Sequence, residues 1–427
     1  MLQNGALLAS ASDIVNYLGC AHRTTLDLVH LETPLEKAPD DEEMQLVQEK
    51  GRVHEAGFLK GLRAAGGMVE IAQDASLEEK LERTREAMGA GVIYQAALRE
   101  GPFIGHADFL RRVEGKSALG GWRYEVLDTK LALKTKAKFL IQLACYSDLV
   151  AAAQGALPER AHLALGDGRE VHFRVQDYAH YYRNVRHRFL KHVAERPKTQ
   201  PEPVEACELC HWRLRCAAQW ETEDHLSRVA GIRRQQVRRL EAAGIRTMAA
   251  LGVVPEGTRV ARMAPETLAK LAAQARLQAE AQRTGARGHE LLEAAPYRGF
   301  ARLPAPSKGD LYFDMEGDPF EKDGLEYLLG VAYRDGEEWR YRRWWAHDRR
   351  EERAAFDGFM DFVAERLARF PDLHIYHYAH YEPTALKSLM SKHGVREVEL
   401  DDLLRAERFV DLYRVVREAL RISEPGY

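Results

Sequence analysis

A change of hydrophobic period near residue 103 constrains the fold of this chain more than any other feature. Upstream, residues 9–100 read as mostly helical, with amphipathic stretches such as SLEEKLERTREAMGAGVIYQAALRE. From Phe103 the period drops to two. FIGHADFLRRV (103–113) and RYEVLDTK (123–130) alternate as strands do, separated by a Gly-rich turn, EGKSALGG. TKAKFLIQLACYSDLVAAAQG then returns to helical spacing. Two more strand-like runs, AHLALGDG and REVHFRV, lead into a helix, DYAHYYRNVRHRFLKHVAE. Strands interleaved with helices in this order predict an α/β domain.

Length forces more than one such unit. At 427 residues the chain exceeds what a single core serves. Three domains are expected, at 1–220, 221–300 and 301–427. A hydrophobic share of 45%, a charged share of 30% and a net charge of −3 describe a soluble protein without an overall basic footprint. Positive charge for nucleic acid must therefore be local. The opening MLQNGALLASASDIV has neither a basic start nor an apolar run of membrane length, which predicts a cytoplasmic protein with no membrane partner. Cysteines stay reduced there, so a disulfide framework is not expected.

The chemistry-bearing residues of the first domain sit on the predicted strand pair and the helix after it. Asp108 closes GHAD, and Asp128 and Lys130 form DTK at the end of the second strand. Alternation puts Asp128 and Lys130 on one face, and antiparallel pairing brings Asp108 beside them. Two carboxylates and an amine suit a divalent cation and a water or developing phosphate charge. Gln142 and Tyr146 are spaced i, i+4 on the helix, and His54 lies upstream in GRVHEAGF. The order GxxH, GxxD, hhDxK, QxxxY resembles the RecB-type branch of the PD-(D/E)XK nucleases, whose domain is restriction-endonuclease-like. That resemblance implies that His54, Asp108, Asp128 and the Thr129 carbonyl hold Mg²⁺ or Mn²⁺. It implies that Lys130 activates the attacking water while Gln142 and Tyr146 contact the site or the strand. Lys134 and Lys136, with Lys138, either bind phosphates or form a solvated helix start.

CELCHWRLRC (207–216) packs three of the five cysteines into ten residues, which points to metal. Thiolate sites usually take four ligands, and Cys20 is the expected fourth, with Cys145 as competitor. The set Cys20, Cys207, Cys210, Cys216 resembles that of AddB-type iron–sulfur nucleases, which implies a 4Fe–4S cluster. Zinc is the alternative.

Between 224 and about 290 the chain is helical and locally basic. Gly231-Ile232 and Gly244-Ile245 resemble helix–hairpin–helix turns, which would present backbone N–H groups to DNA beside Arg233, Arg234 and Arg238. A Gly-capped helical bundle with a solvated arginine face fits equally.

Further on, YFDMEGDP puts Asp314 and Glu316 on one face at the end of a buried strand. The strand–strand–strand–helix–strand–helix order resembles an RNase H-like fold, and the DxE resembles the first motif of DnaQ-like (DEDD) exonucleases. YHYAHYE (376–382) departs from their second motif, with His377 and Glu382 in place of Asn and Asp. Asp314, Glu316 and Glu382 would form a second divalent site in a domain lacking its last carboxylate. The resulting expectation is a nuclease acting on single-stranded DNA ends, with a helicase as partner in cis or in trans. The rival expectations are a non-catalytic DNA-binding scaffold and a nuclease working through the C-terminal domain.

Overall fold

The structure, a computed structural model, describes residues 2–3, 6–40, 42–321 and 323–425. Met1, Asn4 and Gly5 of the opening segment, and Gly426 and Tyr427 at the end of the third expected domain, lie outside the described residues. The chain divides into two compact units, Met1–Thr222 and Glu223–Tyr427. The architecture is multidomain α/β.

The first unit opens with helices α1 (Ala11–Gly19), α2 (Ala21–Glu32) and α3 (Glu42–Ala65). Ser10 and Asp13 form a reciprocal capping box that starts α1. Strand β1 (Met68–Glu70) and helix α4 (Leu77–Glu86) follow. The sequence pattern had extended that helix through residue 100. It stops because Gly89 takes a φ of 148°, and Val92–Glu100 instead forms β2. VIYQAAL is apolar and partly β-branched, and it pairs on both sides, so tertiary pairing overrides helical spacing. Strands β3 (Phe103–Ser117) and β4 (Gly120–Lys130), helix α5 (Ala137–Gln154), strands β5 (Arg160–Leu165) and β6 (Glu170–Arg174), and helices α6 (Val175–Glu195) and α7 (Arg213–Thr222) complete the unit.

Strands β1 to β6 form one mixed sheet in sequential order. The β2–β3–β4 meander is antiparallel, and β4 pairs in parallel with β5 across α5. Helices α1, α5 and α6 cover one face through Ile14, Val150, Val185 and the strand residues Leu110, Tyr124 and Val126. A smaller cluster, Leu59, Phe109 and Leu127, seats α3.

The second unit begins with α8 (Arg234–Ala242), α9 (Met248–Gly252) and α10 (Pro265–Thr284), which share a core of Leu240, Leu251 and Leu271. Strand β7 (His289–Leu291) precedes β8 (Leu311–Asp318), β9 (Leu325–Asp335) and β10 (Glu338–Trp345). The β9–β10 turn falls at Gly336-Glu337, one residue past the expected Asp335-Gly336, because Asp335 pairs with Glu338; Gly336 supplies the φ of 63°. Helix α11 (Arg349–Arg369), strand β11 (Ile375–His377), helices α12 (Tyr381–His393) and α13 (Glu397–Arg405), strand β12 (Phe409–Asp411), helix α14 (Leu412–Ala419) and strand β13 (Leu420–Ile422) follow. The main sheet runs β10–β9–β8–β11–β12, while β13 pairs with β7. Phe359 of α11 stacks on Phe313 at 4.4 Å and closes one face of that sheet. Among the described residues no helix is long and apolar enough to cross a membrane.

Candidate functional site

The register of β3 and β4 assembles the site. Phe109 pairs with Leu127, so the next step along both strands sets Asp108 against Asp128. Asp128 is 3% exposed and lies under α5. Lys130 Nζ stands 2.6 Å from its Oδ2, an ion contact that is not aligned as a hydrogen bond. Asp108 Oδ2 accepts from the Thr129 backbone N–H at 3.1 Å and from its hydroxyl at 3.2 Å. Burial, then the charge of Asp128 and the hydrogen bond to it, hold Asp108 well above the usual carboxylate range. The raised proton affinity therefore falls on Asp108, and Lys130 is the ion partner of Asp128.

Tyr146 reaches this pair from α5. Its phenol is pushed up by burial and by the charges of Asp128 and Asp108. The ring lies against Gly105, where an added Cβ would meet its Cε1 at 2.7 Å. Gln142, half-buried, sits one turn earlier on the same helix. Lys130 and Lys138 flank the Phe139 ring at 5.6 and 5.8 Å. Burial, then Lys136 and Lys130, lower Lys138. Lys134 and Lys136 are exposed on the connection from β4 to α5.

Three residues that the sequence reading passed over belong to the same neighbourhood. The β2–β3 ladder skips Gln95 and Asp108, and Gln95 takes a left-handed φ of 55°. A non-glycine residue there is uncommon and strained. Its Nε2 donates to Glu55 Oε1 at 3.0 Å, and the Tyr94 hydroxyl donates to the same oxygen at 2.9 Å. Burial, Glu55 and Asp108 raise Tyr94 to about 12. Glu55 directly follows His54, the one sequence signal that pointed here.

The strand end carrying Lys130 is braced by the turn after β5. Gly166 lies so close to Leu131 that a Cβ would overlap the Leu131 carbonyl oxygen. Gly166→Ala is expected to cost about 1–3 kcal/mol by overpacking beside the strand end that carries Lys130, a loss that a thermal melt checks.

The metal expectations do not hold. Among the described residues no group of three or more His, Cys, Asp or Glu side chains is arranged to hold a metal ion. His54 Nε2 lies 3.3 Å from the Ala164 carbonyl oxygen, and Asp108 and Asp128 face each other and Lys130. The set His54, Asp108, Asp128 and Thr129 is therefore not a ligand shell for Mg²⁺ or Mn²⁺. Cys20, Cys207, Cys210 and Cys216 do come near one another, while Cys145 is buried beside Tyr182. Burial, then the other three cysteines, push the Cys216 thiol up to about 12. Burial raises Cys207 as well. Cys210 and Cys216 pack with Leu26 and Trp212 as a small apolar core, and the Val204 and Trp212 N–H groups point at the Cys207 and Cys210 sulfurs. Among the described residues these cysteines are not arranged as the expected 4Fe–4S or zinc centre.

In the second unit, Asp314 and Glu316 are exposed on one face of β8. Glu382 is instead 3% exposed, with its Oε2 3.4 Å from His377 Nδ1. These three do not form a second metal site either. Asp411 caps α14 and accepts from the Ala379 N–H at 3.0 Å. A cavity of about 510 Å³ beside β8 is lined by Glu316, Asp318, Glu326 and Tyr381. Arg233, Arg234 and Arg238 are exposed at and along α8.

Residues 311–424 match the RNase_H_2 family model of the RNase_H superfamily. The C-terminal domain is RNase H-like. No curated protein matches the chain. The family match lies wholly in the second unit, and the ligand sets that the other resemblances required are not assembled. The resemblance of the first unit to RecB-type PD-(D/E)XK nucleases with an AddB-type cluster therefore does not hold.

Proposed function

We propose that this protein hydrolyses phosphodiester bonds of single-stranded DNA at the centre formed by Asp108, Asp128 and Lys130. The observation that carries the reading is geometric: two carboxylates face each other beneath α5, with an ammonium 2.6 Å from one of them. Paired carboxyls in one buried site serve as base and acid. Water attacks phosphorus and gives its proton to Asp128. As the P–O bond breaks, Asp108 returns a proton to the leaving oxygen. Lys130 faces the negative charge that grows on the phosphoryl oxygens. Lys134, Lys136 and Lys138 would bind the flanking phosphates, and the RNase_H superfamily match of the C-terminal domain fits a nucleic-acid substrate.

A second reading puts hydrolysis in the RNase H-like domain, favoured by Asp314 and Glu316 sharing one exposed face beside a cavity. End-labelled single-stranded DNA is incubated with wild type, Lys130→Ala and Asp314→Asn, with and without divalent cation. The expected result is loss of cleavage in Lys130→Ala and a wild-type rate in Asp314→Asn. The reverse pattern establishes the second reading, and binding without cleavage by the wild type leaves the scaffold.

A further inference from the structure

We propose that the open face of the C-terminal sheet is a stacking platform for the unpaired bases of single-stranded DNA. The inference deepens the nuclease reading by adding a substrate site away from the reacting carboxylates.

Strand β10, EWRYRRWW, lies at the edge of its sheet. Alternation sends Arg342 and Trp344 to the face covered by α11, where both meet Phe362. Trp339, Tyr341, Arg343 and Trp345 project from the other face. Trp339, Tyr341 and Trp345 are 56%, 58% and 51% exposed, and Tyr312 of β8 adds a fourth ring at 42%. Tyr312 meets Trp339 at 5.5 Å. Large aromatic side chains gathered on an exposed edge are a liability unless they bind something.

Their arrangement specifies what. Same-face residues of a strand are about 6.8 Å apart, room for one ring per base. Tyr341 leans across Gly330, whose missing side chain makes the space, since a Cβ there would collide with the Tyr341 hydroxyl. The charge is complementary to a phosphate chain. On this face the exposed rings are joined by Arg343 of β10 and by Arg334, the β9 partner of Trp339. Arg334 lies over Trp339 at 5.1 Å, and Arg343 stands between the exposed rings. Rings for bases and guanidinium groups for the backbone are the two parts of a sequence-tolerant single-strand site. Asp314 and Glu316 lie two strands away on the same face, so phosphates are favoured along β10 rather than across β8.

The test is anisotropy of a fluorescein-labelled phosphorothioate oligothymidylate with the full chain. The triple variant Trp339→Ala, Tyr341→Ala, Trp345→Ala is compared with the same positions changed to Phe, both checked by circular dichroism. The expected result is affinity weakened about tenfold or more by the alanines and kept within a few-fold by the phenylalanines. Equal affinity in the alanine variant overturns the platform. So does a change in self-association, by sedimentation, with oligonucleotide affinity unchanged, because the face then serves protein contact. Selective loss of binding in the alanine variant, with a wild type that cuts no DNA, supports the platform while removing the nuclease reading.

Discussion

Lys130→Ala is expected to lower single-strand cleavage by ~10²–10³-fold, the size of loss that follows removal of one charge-stabilising group from a water-poor site. Lys130 is the ammonium held directly against Asp128, and its side chain is 22% exposed, open enough to meet a phosphate. Its removal also strips a buried carboxylate of its partner, which lowers stability unless Asp128 takes up a proton. The two effects separate with Lys130→Arg. That variant keeps the charge, so its urea midpoint is expected to match wild type while its rate recovers only in part, because a planar guanidinium cannot occupy the position of an ammonium. Rates come from initial velocities on end-labelled DNA. An alanine variant that cuts at the wild-type rate removes this centre from the reaction.

Asp108→Asn is expected to abolish cleavage and yet stabilise the fold. The folded-state pKa of Asp108 is raised above its ordinary 3.8. Folded protein therefore binds this proton more tightly than unfolded protein. Across the window from 3.8 up to the raised value, stability falls as pH rises, and above it the whole cost is present. Asparagine resembles the protonated acid, can still accept from the Thr129 N–H, and has no proton to lose. Wild type should lose stability at this site from about pH 4 up to the raised folded-state value, while the variant should lose less. For a unit of this size each kcal/mol gained raises the melting temperature by about 2–4 °C. Urea titrations of both proteins over that range check the slope. Identical slopes would mean that Asp108 ionises in the folded protein as it does unfolded. The pairing of lost activity with gained stability separates a functional strain from mere damage.

Much of this site was legible because it rests on local periodicity. Two-residue alternation places Asp128 and Lys130 on one side of β4, and i, i+4 spacing places Gln142 and Tyr146 on one side of α5; neither needs knowledge of distant contacts. The three-ring row on β10 follows from the same alternation. The RNase H-like resemblance likewise rested on element order, and the family match over 311–424 bears it out. Ligand sets were less legible. A cysteine count and spacing cannot tell a metal shell from thiols packed beside an apolar cluster, since the difference lies in side-chain directions.

By itself, then, the sequence determined the run of strands and helices from Phe103 to the end of the first sheet, the facing of Asp108, Asp128 and Lys130, and the multidomain α/β organisation, all consequences of hydrophobic period and turn chemistry. Only the tertiary structure decided the rest. Pairing on both sides turned Val92–Glu100 from helix to strand, and a skipped ladder step set the strained Gln95 beside Asp108 with Glu55 beneath it. Burial and the facing Asp128 raised the proton affinity of Asp108. Such outcomes depend on residues brought together from far along the chain, and on the water they exclude, which no local pattern encodes.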